Sequence, residues 1–146
     1  MDKEFVPYEQ ALELKELGFN EPCFANYTVI PEDEIDWFTI PEQGITDKTS
    51  FGSSKNYNSK SFEEEGTISA PTFSQAFRWL LKEYNLYAII IPTVTMHWTF
   101  KTMTVVEDIV EVPPYDHVDA NDYGTREEAE LACLVKLIEI VETRTK

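Results

Sequence analysis

Apolar and polar positions are most sharply patterned over residues 69–98, where a helical period gives way to a strand run. Phe73, Ala76, Phe77, Leu80, Leu81 and Tyr84 recur at spacings of three and four. That spacing predicts one apolar stripe along a helix of about three to four turns. Thr72-x-x-Gln75 fits a capping box at its start, and Pro71 keeps the preceding chain, Ala70 included, extended. Trp79 falls outside the stripe, placed to edge a core or to reach a partner. Asn85 suits the left-handed residue that ends such a helix.

Leu86–Ile91 follows almost without a linker. Consecutive isoleucines favour a strand, because branching at Cβ restricts χ1 against a helical turn. An unbroken apolar run predicts a strand covered on both faces or lying in a sheet centre. Pro92 is expected to stop that strand or to sit at a bulge, since it cannot donate to a ladder. His97, Thr99 and Lys101 then alternate with Trp98, Phe100 and Thr102, a half-buried strand continuing towards Val106. The two runs predict an antiparallel hairpin. Phe77 and Ile90 are expected in the core, where truncation to Ala costs about 2–5 kcal/mol.

Earlier in the chain, Val6–Phe19 predicts a short helix with Pro7 in its first turn and Gly18 as the residue that ends it. Tyr8, Ala11, Leu12, Leu14 and Leu17 form its apolar side, and Phe19 is placed to close back onto it. Cys23–Ile30 reads as a first strand between Pro22 and Pro31. From Pro31 to Gly66 turn chemistry dominates, with Asp36–Ile40 and Thr67–Ser69 as short pieces able to pair as strand ends. Loops this long are usually functional, inserted or mobile, so 41–66 is expected to be a mobile loop or insertion, most mobile at Gly52–Ser61. Beyond Pro113-Pro114, Thr125 and Glu128 form a second capping box. The last helix carries a core stripe of Leu131, Leu134, Val135, Ile138 and Val141, widened by Ala132, Leu137 and Ile140.

The element order α-β-(long loop)-α-β-β-α predicts an α+β fold, with three helices on an antiparallel sheet of about three to five strands. At 146 residues the chain is expected to form a single domain, 1–146, and its composition is that of a globular protein. No internal repeat occurs.

The formal net charge is −15, and it is uneven. Residues 1–70 carry 5 basic and 15 acidic side chains, and residues 107–146 carry 4 and 11. Between them, Arg78, Lys82 and Lys101 against Glu83 leave 71–106 at +2. No basic stripe is available to displace counterions from phosphates, so direct nucleic-acid binding is not expected. Solvation of an acidic surface is the plainer account of the flanks; a mimic of nucleic acid is the sharper one. Cys23 and Cys133 read as reduced, small core residues rather than a disulfide framework. Neither a charged-then-apolar leader nor an apolar run of about eighteen residues occurs, so no membrane association is expected.

Three blocks together carry a resemblance: Val6–Phe24, Ala70–Tyr84 and Glu127–Glu139. They resemble small uncharacterised proteins encoded in gut bacteriophages and integrated prophages. The blocks cover about a third of the chain and leave out the 31–66 loop; the helices they encode are ones any scaffold of this kind needs. The resemblance implies a setting in the cytoplasm of a bacterial host and supplies no activity or binding residue.

The residues with chemistry do not assemble into a signature. Asp119-x-Asn121-x-Tyr123-Gly124 with Glu130 partly matches a calcium loop, but Tyr123 stands at the fifth ligand place. A turn with an Asx or N-cap role explains the same residues. His97 and His117 lie far apart, without zinc-spaced partners, and His97 reads as a surface or edge strand residue. No nucleophile elbow, phosphate loop or dinucleotide fingerprint occurs. No catalytic, cofactor or metal residue is therefore assigned. Tyr27, Trp37, Phe38, Phe51, Tyr57 and Phe62 punctuate the acidic first half, either as core and loop anchors or as a protein-binding surface. The expected function is that of a non-catalytic accessory protein with a protein partner. The alternatives are an acidic mimic that blocks a host DNA-binding protein, or an enzyme of unrecognised type.

Overall fold

The structure is a computed structural model, and it describes residues 2–29, 36–39, 56–58, 66–105, 117–118 and 121–146. The expected α+β class is found; the described residues form three α-helices and antiparallel strands divided between two three-stranded sheets. The chain folds as two compact units, one formed by Phe5–Thr72 and the other by Phe73–Lys146 together with Met1–Glu4.

In the Phe5–Thr72 unit, helix α1 spans Tyr8–Glu16 and buries Ala11 and Leu14. Its end is set by Gly18, whose φ of 98° is open to glycine at little cost. Gly18 N–H donates to Lys15 O and Phe19 N–H to Leu14 O, a Schellman arrangement in which Phe19 and Leu14 are both buried. Strand β1 (Ala25–Val29) lies between β2 (Asp36–Thr39) and β3 (Thr67–Ala70), antiparallel to both. The two short pieces expected as strand ends thus pair with β1 and not with each other. Val6 N–H donates to Pro71 O at 2.8 Å, and Tyr27 Oη donates to Val6 O at 2.8 Å.

Most of the 41–66 segment expected to be mobile lies outside the described residues. Within it, Tyr57 is buried and Asn58 is tied at both ends of its amide. Its Nδ2 donates to Phe19 O at 2.8 Å, and its Oδ1 accepts from Ser69 N–H at 2.9 Å.

In the second unit, α2 (Phe73–Tyr84) and α3 (Arg126–Thr145) pack on each other and on the strand hairpin that follows α2. Strand β4 is Leu86–Pro92, β5 is Trp98–Thr104, and β6 (His117–Val118) pairs with the far side of β5. Asn85 ends α2 at φ 55°, as expected, so the chain turns into β4 without a linker. Thr125 caps α3 with both halves of its capping box formed.

The core departs from the expected stripes in three places. Trp79 is buried, with Tyr84 edge-on at 5.5 Å, while Phe77 is only half-buried. In α3 the buried face is Ala129, Cys133, Leu134, Leu137, Ile138 and Val141, and Val135 is 43% exposed. Ile89, Ile90 and Ile91 are half-buried, because β4 stands at a sheet edge among the described residues. Apolar content alone could not distinguish a central strand from this edge.

Candidate interaction site

The β4–β5 hairpin presents the most exposed apolar side chains among the described residues. Its ladder runs from Leu86↔Thr104 to Pro92↔Trp98. Strand β4 ends at Pro92, one of the two expected outcomes, and Pro92 pairs opposite Trp98 without a bulge; the hydrogen-bond phase explains why. Val105 N–H donates to Asn85 O, and Thr93 N–H donates to His97 O at 2.8 Å. Odd-numbered residues of β4 therefore bond to β5, and even-numbered ones turn their main-chain groups outward. Pro92 sits where its missing donor would have pointed away from the ladder, so the pairing loses nothing.

Thr93 and His97 close a three-residue loop, 94–96, in which Met96 N–H donates to Thr93 O at 3.2 Å. Met96 has φ 63°, the left-handed position such loops usually give to glycine or asparagine. For a residue with a Cβ this conformation costs about 1–2 kcal/mol. The Thr93 and Thr95 hydroxyls lie 2.9 Å apart, Thr95 Oγ1 is 3.2 Å from His97 Nδ1, and His97 N–H donates to Thr93 Oγ1. These polar side chains lock the loop from one side. The apolar ones are left to water, Val94 fully and Met96 at 91% exposure.

Next to the tip, Trp98 and Tyr123 exchange both main-chain hydrogen bonds, which ties β5 to the approach of α3. The Arg126 guanidinium lies over the Trp98 ring at 5.9 Å and is held there by Glu130 at 3.0 Å. The Tyr123 ring lies 6.1 Å from Phe100. A rim of Trp, Tyr and Arg beside exposed Val and Met has the composition of a protein-contact surface.

In the partial calcium loop Asp119 lies outside the described residues. Tyr123 is a strand bridge, the Glu128 carboxylate accepts from Gly124 and Thr125 N–H, and Glu130 pairs with Arg126. These partners are those of a turn leading into an N-cap. Among the described residues no group of three or more His, Cys, Asp or Glu side chains could hold a metal ion. His97 belongs to the exposed loop just before β5, and His117 is paired with Thr102 on β6.

Of the first-half aromatics, Tyr27 and Tyr57 are buried, Trp37 and Phe38 lie on β2, and Phe51 and Phe62 fall outside the described residues. Tyr27 and Tyr57 therefore serve the core of their unit and not a contact surface. Burial pushes the Tyr57 phenol above its ordinary range, against an opposing hydrogen bond from Asn26. No helix of the described residues is long and apolar enough to cross a membrane. No family model, curated protein or solved structure matches the chain.

Sequence reasoning missed the hairpin tip. Thr93-Val-Thr-Met-His contains no glycine, asparagine or aspartate, so although a hairpin was expected nothing marked Met96 as its left-handed residue.

Proposed function

We propose that this chain is a non-catalytic protein-binding domain of phage or prophage type, acting in a bacterial cytoplasm, and that it contacts its partner through the β4–β5 tip. The observation that carries this reading is Met96, held left-handed with its side chain in water beside a fully exposed Val94. Neither side chain helps the fold where it stands, and Met96 burdens it. Burial against a partner returns roughly 1.5–3 kcal/mol for a side chain of this kind. Trp98 and Arg126, anchored behind the tip, suit the surrounding contact.

A nucleic-acid mimic needs carboxylates in an unbroken, phosphate-like row. On α3, Glu130 and Glu139 are instead paired with Arg126 and Lys136. That interleaving favours an apolar contact.

The test is capture of the partner from host lysate by the wild-type chain and by a Val94→Ser/Met96→Ser double variant. The partner should be lost from the variant and should survive about 0.3 M salt, because apolar burial is not screened. Retention by the variant, or release by salt and displacement by duplex DNA, overturns the reading.

A further inference from the structure

We infer that the outer edge of β4 is a self-association seam, on which a second copy of this chain adds its own β4 in antiparallel register. The inference does not depend on the partner at the hairpin tip. Among the described residues β4 pairs with β5 alone. The hydrogen-bond phase turns the N–H and C=O groups of Leu86, Ala88 and Ile90 away from β5. Leu86 is fully buried, whereas Ala88 and Ile90 are partly exposed. Edges of this kind are normally blunted by a charged side chain or by an interior proline. Leu86–Pro92 carries no charge, and its proline comes last.

The edge is complementary to itself. With a twofold axis at Ile89, Ala88 faces the second copy's Ile90 and Ile90 faces its Ala88. Each pair exchanges both main-chain bonds. Pro92, which has no donor, falls beyond these pairs opposite Leu86. On the outer face Ile89 meets its own counterpart, and Tyr87, 44% exposed, meets the second copy's Ile91. Aromatic and β-branched residues are favourable cross-strand neighbours. The β4–β5–β6 sheet of each copy would then join that of the other into one sheet of six strands.

Charge favours this place. Two copies at −15 repel each other, and 71–106, at +2, is the stretch through which they can approach. An uncharged strand within it gives the least repulsion across the seam. The same reasoning sets the salt response: screening relieves the repulsion between the acidic remainders, so the dimer tightens as salt is added.

The experiment combines sedimentation of the full chain, from low micromolar to submillimolar concentration, with amide exchange at Ala88 and Ile90. A monomer–dimer equilibrium should appear that strengthens between low and about 0.3 M salt. The Ala88 and Ile90 amides should exchange freely in dilute protein and become protected as the dimer fills. Ala88→Pro removes an outward donor that β5 does not use and should weaken the dimer roughly tenfold or more while leaving a folded monomer. If that variant does not fold, Ile89→Lys, which sets like charges opposite each other at the axis, takes its place. A chain that stays monomeric at every concentration overturns the inference. So do amides already protected in the monomer, amides protected only when a different protein is added, or a dimer that persists in a folded variant.

Discussion

Asn58 and Ser69, eleven residues apart, are joined by a hydrogen bond from the Ser69 main-chain N–H to the Asn58 side-chain oxygen at 2.9 Å. The same amide donates to Phe19 O at 2.8 Å, so one side chain ties the chain around 58 to both α1's end and β3. An amide can do this because it carries a donor and an acceptor on one planar group. Asn58→Ala leaves a donor and an acceptor without partners and should cost about 2–4 kcal/mol. Urea unfolding of the two proteins, compared at equal m, measures it. A loss below about 0.5 kcal/mol would show that water replaces the tie.

Thr102 points the other way. Its side chain is fully buried on β5, and Oγ1 has no hydrogen-bond partner among the described residues. A buried hydroxyl without a partner costs about 1–3 kcal/mol, and valine has nearly the same shape. Thr102→Val should therefore raise stability by about 1 kcal/mol, read as a higher melting temperature. An unchanged or lower melting temperature counts against an unsatisfied hydroxyl.

Met96→Gly separates fold from function at the hairpin tip. Glycine relieves the left-handed strain but gives the unfolded chain more freedom, so stability should rise by no more than about 1 kcal/mol. Partner capture should fall at the same time. A variant that is less stable than wild type would remove the strain argument, whatever it does to binding.

The two neighbours Leu134 and Val135 should respond unequally. Leu134 is fully buried, so Leu134→Ala should cost about 2–5 kcal/mol. Val135 is exposed, and Val135→Ala should change stability by no more than about 0.5 kcal/mol. Equal losses in denaturant unfolding would mean that α3 is rotated from the face described.

Alkaline pH should weaken the Phe5–Thr72 unit through Tyr57. Burial holds its phenol above the ordinary value of about 10, so between the unfolded and folded values the native state binds more protons. Stability is then intact below about pH 10 and falls as pH rises through the folded value. Melting temperatures followed upward from pH 9 should drop more steeply for wild type than for Tyr57→Phe. Parallel curves would place the phenol in contact with water.

What the sequence determined by itself is local. Gly18, Asn85 and the Thr125–Glu128 pair are where they were expected, because a left-handed stop and a capping box depend only on a few adjacent residues. The hairpin was legible for a similar reason, since a run of β-branched residues next to an alternating one leaves little choice of partner. Tertiary structure decided which side of each element is covered, and periodicity alone did not. It buried Trp79, exposed Val135, and left Ile89–Ile91 at an edge, since burial depends on what packs against an element and not on its own composition. It also let β4 pair as far as Pro92 without a bulge, because the cost of a missing donor depends on the ladder's phase, which only the pairing with β5 sets. The candidate site was hidden on the same ground: Met96 became a left-handed tip residue only when two strands on either side fixed the loop between them.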